Sequence, residues 1–166
     1  MADKVNYILD ADIKGFFDNI DHEWMIKFLE HDIADKNFIR YIKRFLIGGV
    51  MEDGKRLDTE AGTVQGGLIS PVLANVYLHY TLDTWFDYVK KHEFKGEMYM
   101  VRYADDFVCL FQYENEAQRF YQLLIERLRK FGLEIAEDKS RILPLADTRE
   151  QRNPLTFSAY TLQLRT

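Results

Sequence analysis

Residues 97–111 read EMYMVRYADDFVCLF: two runs of aromatic, β-branched and other apolar side chains on either side of a pair of aspartates. Such residues fit the pleated, half-buried surface of a sheet, and Asp is a frequent turn former. The stretch therefore predicts a strand from Glu97 to Ala104, a tight turn at Asp105-Asp106 and an apolar strand from Phe107 to Phe111. Downstream, Ala117, Phe120, Leu124, Leu128 and Phe131 mark one face of a helix closed by Gly132. Leu133 to Leu143 holds one or two short strands. Upstream, Val5 to Ile13 reads as a buried strand. Asp21 caps a helix through Trp24, Met25, Phe28 and Leu29. Asp35 starts a second, with Phe38, Ile39, Ile42, Phe45 and Leu46 on one face and Gly48-Gly49 as its stop. Val50 to Glu60 suits a small hairpin around Asp53-Gly54. Ser70-Pro71 supplies an N-cap and a first-turn proline for a long helix to about Lys91.

The order strand, helices, strand, strand, helix, strand is that of an α+β, ferredoxin-like split βαβ unit, with extra helices and a hairpin inserted in its first crossover. In this topology the first two strands run parallel and finish at one edge of the sheet. Asp12 ends the first strand, and Asp105 and Asp106 end the second. Folding alone delivers three carboxylates to one place.

A lone Asp-Asp at a hairpin tip is ordinary turn chemistry. A third carboxylate changes the reading, because crowded like charges repel unless a cation neutralises them. Oxygen-only ligands with room for water suit magnesium, and two such ions can clamp an in-line phosphoryl displacement. Asp10 alternates onto the same strand face as Asp12, with a structural or supporting role open to it. Asp18 reads as loop chemistry. His22, His31, His79 and His92 show no metal-ligand spacing, and Cys109 reads as buried and inert.

Several segments carry a resemblance. Tyr103-Ala104-Asp105-Asp106 between apolar strands resembles the catalytic box of reverse transcriptases. Asp12-Ile13-Lys14-Gly15-Phe16-Phe17-Asp18-Asn19-Ile20-Asp21-His22 resembles the first carboxylate motif of bacterial group II intron reverse transcriptases and maturases. Gly62 to Asn75 (GTVQGGLISPVLAN) is similar to that family's nucleotide- and template-facing motif, and Gly132-Leu133-Glu134 through Lys139-Ser140 to its lysine motif. The tetrapeptide alone is a weak pattern; four motifs in order over about residues 5–143 are specific.

The resemblance implies a polymerase palm over 4–143 with partial fingers, and an unmatched tail over 144–166. It implies RNA-directed DNA synthesis with two Mg2+ ions, for which Mn2+ can substitute. Asp12 and Asp105 become the main metal ligands, joined by the Ile13 carbonyl and, more weakly, by Asp106. Gly15 and Phe16 offer backbone amides to the triphosphate. Phe17 takes the place of the aromatic gate that excludes a ribose 2′-hydroxyl; without the motif it reads as a core aromatic. Gln65 would bridge nucleotide and template, with Gly66 and Gly67 permitting close backbone approach, where local sequence alone suggests a flexible loop. Lys139 becomes the general acid for the leaving pyrophosphate, against a plain reading as a solvated lysine. The implied partners are an RNA template, a DNA primer, deoxynucleotides and intron RNA, with homodimer formation left open.

The chain departs from the family at both ends. Little of the fingers precedes Asp12, and Pro144 to Thr166 matches no primer grip or thumb, so a fragment of a larger enzyme is expected. The 166 residues carry 22 basic and 27 acidic side chains, a net charge of −5. Such a chain holds nucleic acid poorly by bulk electrostatics, so weak or no activity of the isolated chain is expected. No apolar run is long enough for a membrane span, Met1-Ala2-Asp3 opens no signal peptide, and one cysteine suits a reducing compartment. A cytoplasmic location with no membrane partner follows. Two other readings stay open: a catalytically silent RNA- or protein-binding fragment, and another two-metal palm such as a nucleotide cyclase, which needs no template loop.

Overall fold

The computed structural model describes residues 5–47, 51–52, 55–56 and 69–145. Strand β1 (Tyr7–Ala11) is followed by a short 3-10 turn (Phe16–Asp18) and by helices α1 (His22–Asp32) and α2 (Lys36–Ile47). Two-residue strands β2 (Met51–Glu52) and β3 (Lys55–Arg56) pair antiparallel, as expected of a hairpin around 53–54, which itself lies outside the described residues. Helix α3 (Ser70–Leu78) runs through a π turn (His79–Asp83) into α4 (Thr84–His92). Strands β4 (Met98–Tyr103) and β5 (Asp106–Phe111), helix α5 (Glu114–Arg129) and strand β6 (Arg141–Pro144) complete the order.

The sheet runs β4-β5-β1-β6. Both β4 and β1 pair antiparallel with β5, with Tyr7 opposite Phe111 and Met98 opposite Phe111. Hence β1 and β4 are parallel, with β5 between them, and both end at one edge. Side chains alternate across a strand, so this register sorts the two faces. Leu9, Phe107, Cys109, Phe111 and Met98 are buried toward the helices. Tyr99, Val101 and Tyr103 are exposed on the other, open face, which also carries Asp10.

The helix layer closes over the first face. Phe120 of α5 is fully buried, its ring 5.3 Å from Phe111, 5.4 Å from Trp85 and 5.7 Å from Phe86. An i→i+5 turn interrupts the regular ladder of backbone bonds, and α5 reaches across to it. Arg127 donates from Nε to the Thr81 carbonyl (2.9 Å) and from Nη2 to the Tyr80 carbonyl (3.0 Å), while its guanidinium lies over the Phe131 ring. Burial lowers the pKa of Arg127.

Three expectations need correction. The tight turn is Ala104-Asp105, and Asp106 is the first residue of β5. The reason is pairing: Asp106 stands opposite Tyr103 and extends the hairpin by one register position. The long helix is not uniform, because the π turn divides it, and its N-cap is Ile69 rather than Ser70. Phe38, read as part of a packed face, is 42% exposed, since α2 buries Ile39, Ile42 and Leu46 instead. The cap at Asp21 is as expected, accepting from the Trp24 amide at 2.8 Å.

Candidate active site

The site is built where β1 and the β4–β5 hairpin finish. Asp12 follows β1, and its neighbourhood is fixed by the segment after α5. The Ala136 amide donates to the Asp12 carbonyl (2.8 Å), the Asp12 amide donates to Ser140 Oγ (3.3 Å), and Ile13 bridges to Ile135. These contacts also bring Lys139 to the edge, with Nζ 3.3 Å from Asp12 Oδ2. Asp12 and Lys139 belong to motifs more than a hundred residues apart, and the fold sets them side by side.

Asp105 occupies the second turn position and Asp106 opens β5 on the face that carries Asp10. The charges sense one another. The carboxyl of Asp106 is raised above its ordinary pKa by desolvation first, then by the negative charges of Asp105 and Asp12. Asp10 is raised by desolvation, lowered by Arg141, and raised again by Asp12 and Asp106. The Arg141 Nε stands 3.8 Å from Asp10 Oδ2. Four carboxylates thus share one electrostatic neighbourhood.

Among the described residues no three His, Cys, Asp or Glu side chains form a ready-made metal cage. Asp12 faces Lys139 instead. The donor set nevertheless fits a hard divalent cation: it is all oxygen, partly open to solvent, and strained by mutual repulsion that a cation relieves.

The raised carboxyl has a consequence for stability. A group whose folded pKa exceeds its unfolded value favours folding when protonated, and weighs against it once pH rises through the folded value. Asp106→Asn should therefore raise the melting temperature of the metal-free protein at pH 7. The gain should be smaller at pH 4 than at pH 7, because a raised carboxyl takes up its proton earlier as pH falls. Melts in chelator at both pH values check this; a lower melting temperature for the variant at pH 7 would contradict it.

Gly15 is exposed with φ 53°, and the Asn19 side chain donates to its carbonyl at 2.9 Å, which fixes the bend that leads to Phe16. Phe16 is buried, whereas Phe17 is half-buried at the core margin, its ring 5.3 Å from that of Phe16 in an edge-on contact. Gln65, Gly66 and Gly67 lie outside the described residues. Cys109 is buried, and burial raises its thiol pKa. His31 pairs with Asp32 (2.8 Å), and Tyr80 donates to the same carboxylate.

Sequence patterns give Arg102 and Asp83 no role, and Asn75 none beyond closing the Gly62–Asn75 motif. Arg102 lies on the helix-facing side of β4 and donates to Asp83, Asn75 and the Ala104 carbonyl. A lone arginine in an apolar strand was the available signal.

Comparison with known proteins gives one consistent result. The family described as "Reverse transcriptase (RNA-dependent DNA polymerase)" matches residues 2–161. The group II intron-encoded protein LtrA of Lactococcus lactis subsp. cremoris is 44% identical over 73 residues, which is 44% of this chain and 12% of that protein. A 91 kDa protein encoded in the cob intron of Schizosaccharomyces pombe is 37% identical over 89 residues, 53% of this chain and 11% of that protein. The chain thus spans only about an eighth of these relatives. Among solved structures, apo telomerase from Candida tropicalis, truncated from its C-terminal domain, superposes with a TM-score of 0.65 at 15% identity, covering 84% of this chain and 31% of that one. Telomerase from Candida albicans, solved with a fragment of telomeric RNA, gives 0.66 at 16% identity, covering 83% and 27%. The shared fold is the α+β polymerase palm.

Proposed function

The chain belongs to the reverse transcriptase (RNA-dependent DNA polymerase) family, and from that premise we propose that it is the palm of a group II intron-type enzyme, adding deoxynucleotides to a primer 3′-hydroxyl on an RNA template. The observation that carries this reading is the meeting of Asp12, Asp105, Asp106 and Lys139 at one sheet edge. Reverse transcriptases work with divalent metal ions. Here Asp12 and Asp105 would hold two Mg2+ or Mn2+ ions, with the Ile13 carbonyl and Asp106 in support. When bound, such ions acidify the attacking hydroxyl and neutralise the triphosphate and departing pyrophosphate.

The remaining work falls to the chain's own groups. Lys139 is assigned to stabilise or protonate the leaving pyrophosphate, and its pairing with Asp12 supports this by holding its ammonium at the carboxylate edge. Gly15, in a left-handed bend, and Phe16 follow Asp12 closely in the chain and are assigned to donate backbone amides to phosphate oxygens. Phe17 sits beyond this bend as the platform for the sugar. Gln65 and Gly66 are assigned to the nucleotide and template. An RNA template, a DNA primer and intron RNA are the partners this reading names.

Metal linkage tests the reading. Anything that binds only the native state stabilises it, by about 2.7 kcal/mol at a hundredfold excess over Kd. For a chain of this size that corresponds to roughly 5–10 °C in Tm. Mn2+ should raise the melting temperature of the wild type by an amount of this order, and Asp105→Asn should lose most of the shift. Equal shifts in the two proteins would place the metal elsewhere and leave the catalytically silent binding fragment as the better account.

A further inference from the structure

The turn that carries Asp105 is held from behind. Arg102 projects from β4 into the helix layer, and its side chain is 13% exposed. Its Nε and Nη2 fork onto the two oxygens of Asp83 at 2.8 and 2.5 Å. Its Nη1 donates both to Asn75 Oδ1 (2.8 Å) and to the Ala104 carbonyl (2.7 Å). One guanidinium thereby ties α3, the π turn and the hairpin tip together.

Two features show that this is a built clamp. The first lies in the helix. Asn75 and Asp83 are eight residues apart, and in an uninterrupted α-helix they would diverge by about 80°. A π turn takes up one extra residue, a lag of about 100°, and so returns the pair to within roughly 20° of one face. The π turn ends at Asp83, and the two side chains converge on one guanidinium. The second lies in the hairpin. Ala104 has φ 55°, the one positive φ at a non-glycine position among the described residues. A residue with a Cβ persists in that region only where its surroundings over-determine it. The Arg102 bond to the Ala104 carbonyl does so here.

We propose that Arg102, braced by Asp83 and Asn75, is a positioning residue that fixes the Ala104-Asp105 turn and so sets where Asp105 and Asp106 stand relative to Asp12. The proposal rests on the carboxylate edge being the metal site described above. Arginine is required because only a planar fork reaches all three acceptors; a lysine ammonium could satisfy one or two. Asn75 belongs to the segment that follows Gln65-Gly66-Gly67, so the clamp also joins that segment's helix to the metal-bearing turn.

The test compares the 166-residue wild type with Arg102→Gln, Arg102→Lys, Asn75→Ala and Asp105→Asn. Hydrogen–deuterium exchange reads the hairpin over residues 98–111, and electron paramagnetic resonance of free Mn2+ reads metal affinity. Arg102→Gln should accelerate exchange in the hairpin beyond any change in α5, and weaken Mn2+ binding by about tenfold, as expected when a residue that orients metal ligands is removed. Arg102→Lys should restore neither. Should the arginine variants fail to fold, Asn75→Ala removes one hydrogen bond of the four and should give a smaller shift in the same two readouts. Uniformly faster exchange with wild-type Mn2+ affinity would reduce Arg102 to a general stabiliser and overturn the proposal. Equal Mn2+ binding by wild type and Asp105→Asn would overturn the metal-site reading instead, while hairpin exchange still decides whether the clamp exists.

Discussion

Asp105→Asn should slow the addition of a single nucleotide by about a thousandfold, with the fold intact. The estimate follows from the charge removed. A bound metal supplies several kcal/mol of transition-state stabilisation, and about 4 kcal/mol corresponds to a factor near 10^3 in rate. Asparagine keeps the shape and one oxygen but loses the negative charge that holds the cation. Because a chain of net charge −5 binds polyanions weakly, the measurement belongs at low salt, under single-turnover conditions, with protein in excess over a labelled primer annealed to RNA. The metal-free melting temperature should not fall, since Asp105 sits in a turn outside the core and its charge repels Asp106. A rate within threefold of wild type would remove Asp105 from the chemistry.

Phe17→Ala, tested in an enzyme in which fingers and thumb segments accompany this palm, should lower the preference for deoxynucleotides over ribonucleotides by roughly tenfold to a hundredfold. Forcing an extra atom against a rigid wall costs about 1–3 kcal/mol, which sets that range. The wall is credible here because of a division of labour between neighbours. Phe16 is buried and anchors the 3-10 turn, while Phe17 rests half-buried against it, edge-on. Removing Phe17 therefore empties surface space above an intact base. The ratio of kcat/KM for the two sugars is the readout, with a thermal melt beside it. A falling melting temperature with an unchanged ratio would make Phe17 a packing residue only.

The parts of this site that were legible in the sequence are those that follow from topology. The alternation of β1, the hairpin and α5 implied the split βαβ order, and that order places Asp12 beside Asp105 and Asp106 whatever the loops do. Helix irregularity was not legible. Residues 70–91 show an ordinary apolar stripe, and nothing in their periodicity marks an i→i+5 turn at His79–Asp83. Without that turn the partners of Arg102 cannot be guessed, because Asn75 and Asp83 do not fall on one face of a regular helix. The Lys139–Asp12 pair was hidden for another reason. It depends on how the backbone of 134–140 lies along 12–14, through bonds such as Lys14 N–H to the Glu134 carbonyl (2.8 Å), which side-chain patterns do not encode. The one-residue error at the turn has a similar origin, since Asp is equally at home in a turn and at the first position of a strand.

The strand order bears on how the chain comes together during synthesis. Strand β1 lies inside the sheet, yet both of its neighbours come from the far half of the chain: Tyr7 waits for Phe111, and Asp10 for Arg141. At about 5–20 residues per second, a ribosome needs roughly 5–20 s to make the hundred or so residues in between. For that interval Tyr7–Ala11 has neither edge paired, while α1 and α2 can form from local contacts. The pairing of β1 with β5, which joins it to the hairpin, is also the pairing that first brings Asp12 to Asp106. Acquisition of the native core and assembly of the carboxylate edge are therefore one late event, dominated by long-range closure, and the protein should fold slowly for its size. A nascent chain stalled before residue 105 would carry the first aspartate and helices α1 to α4, and no site at all.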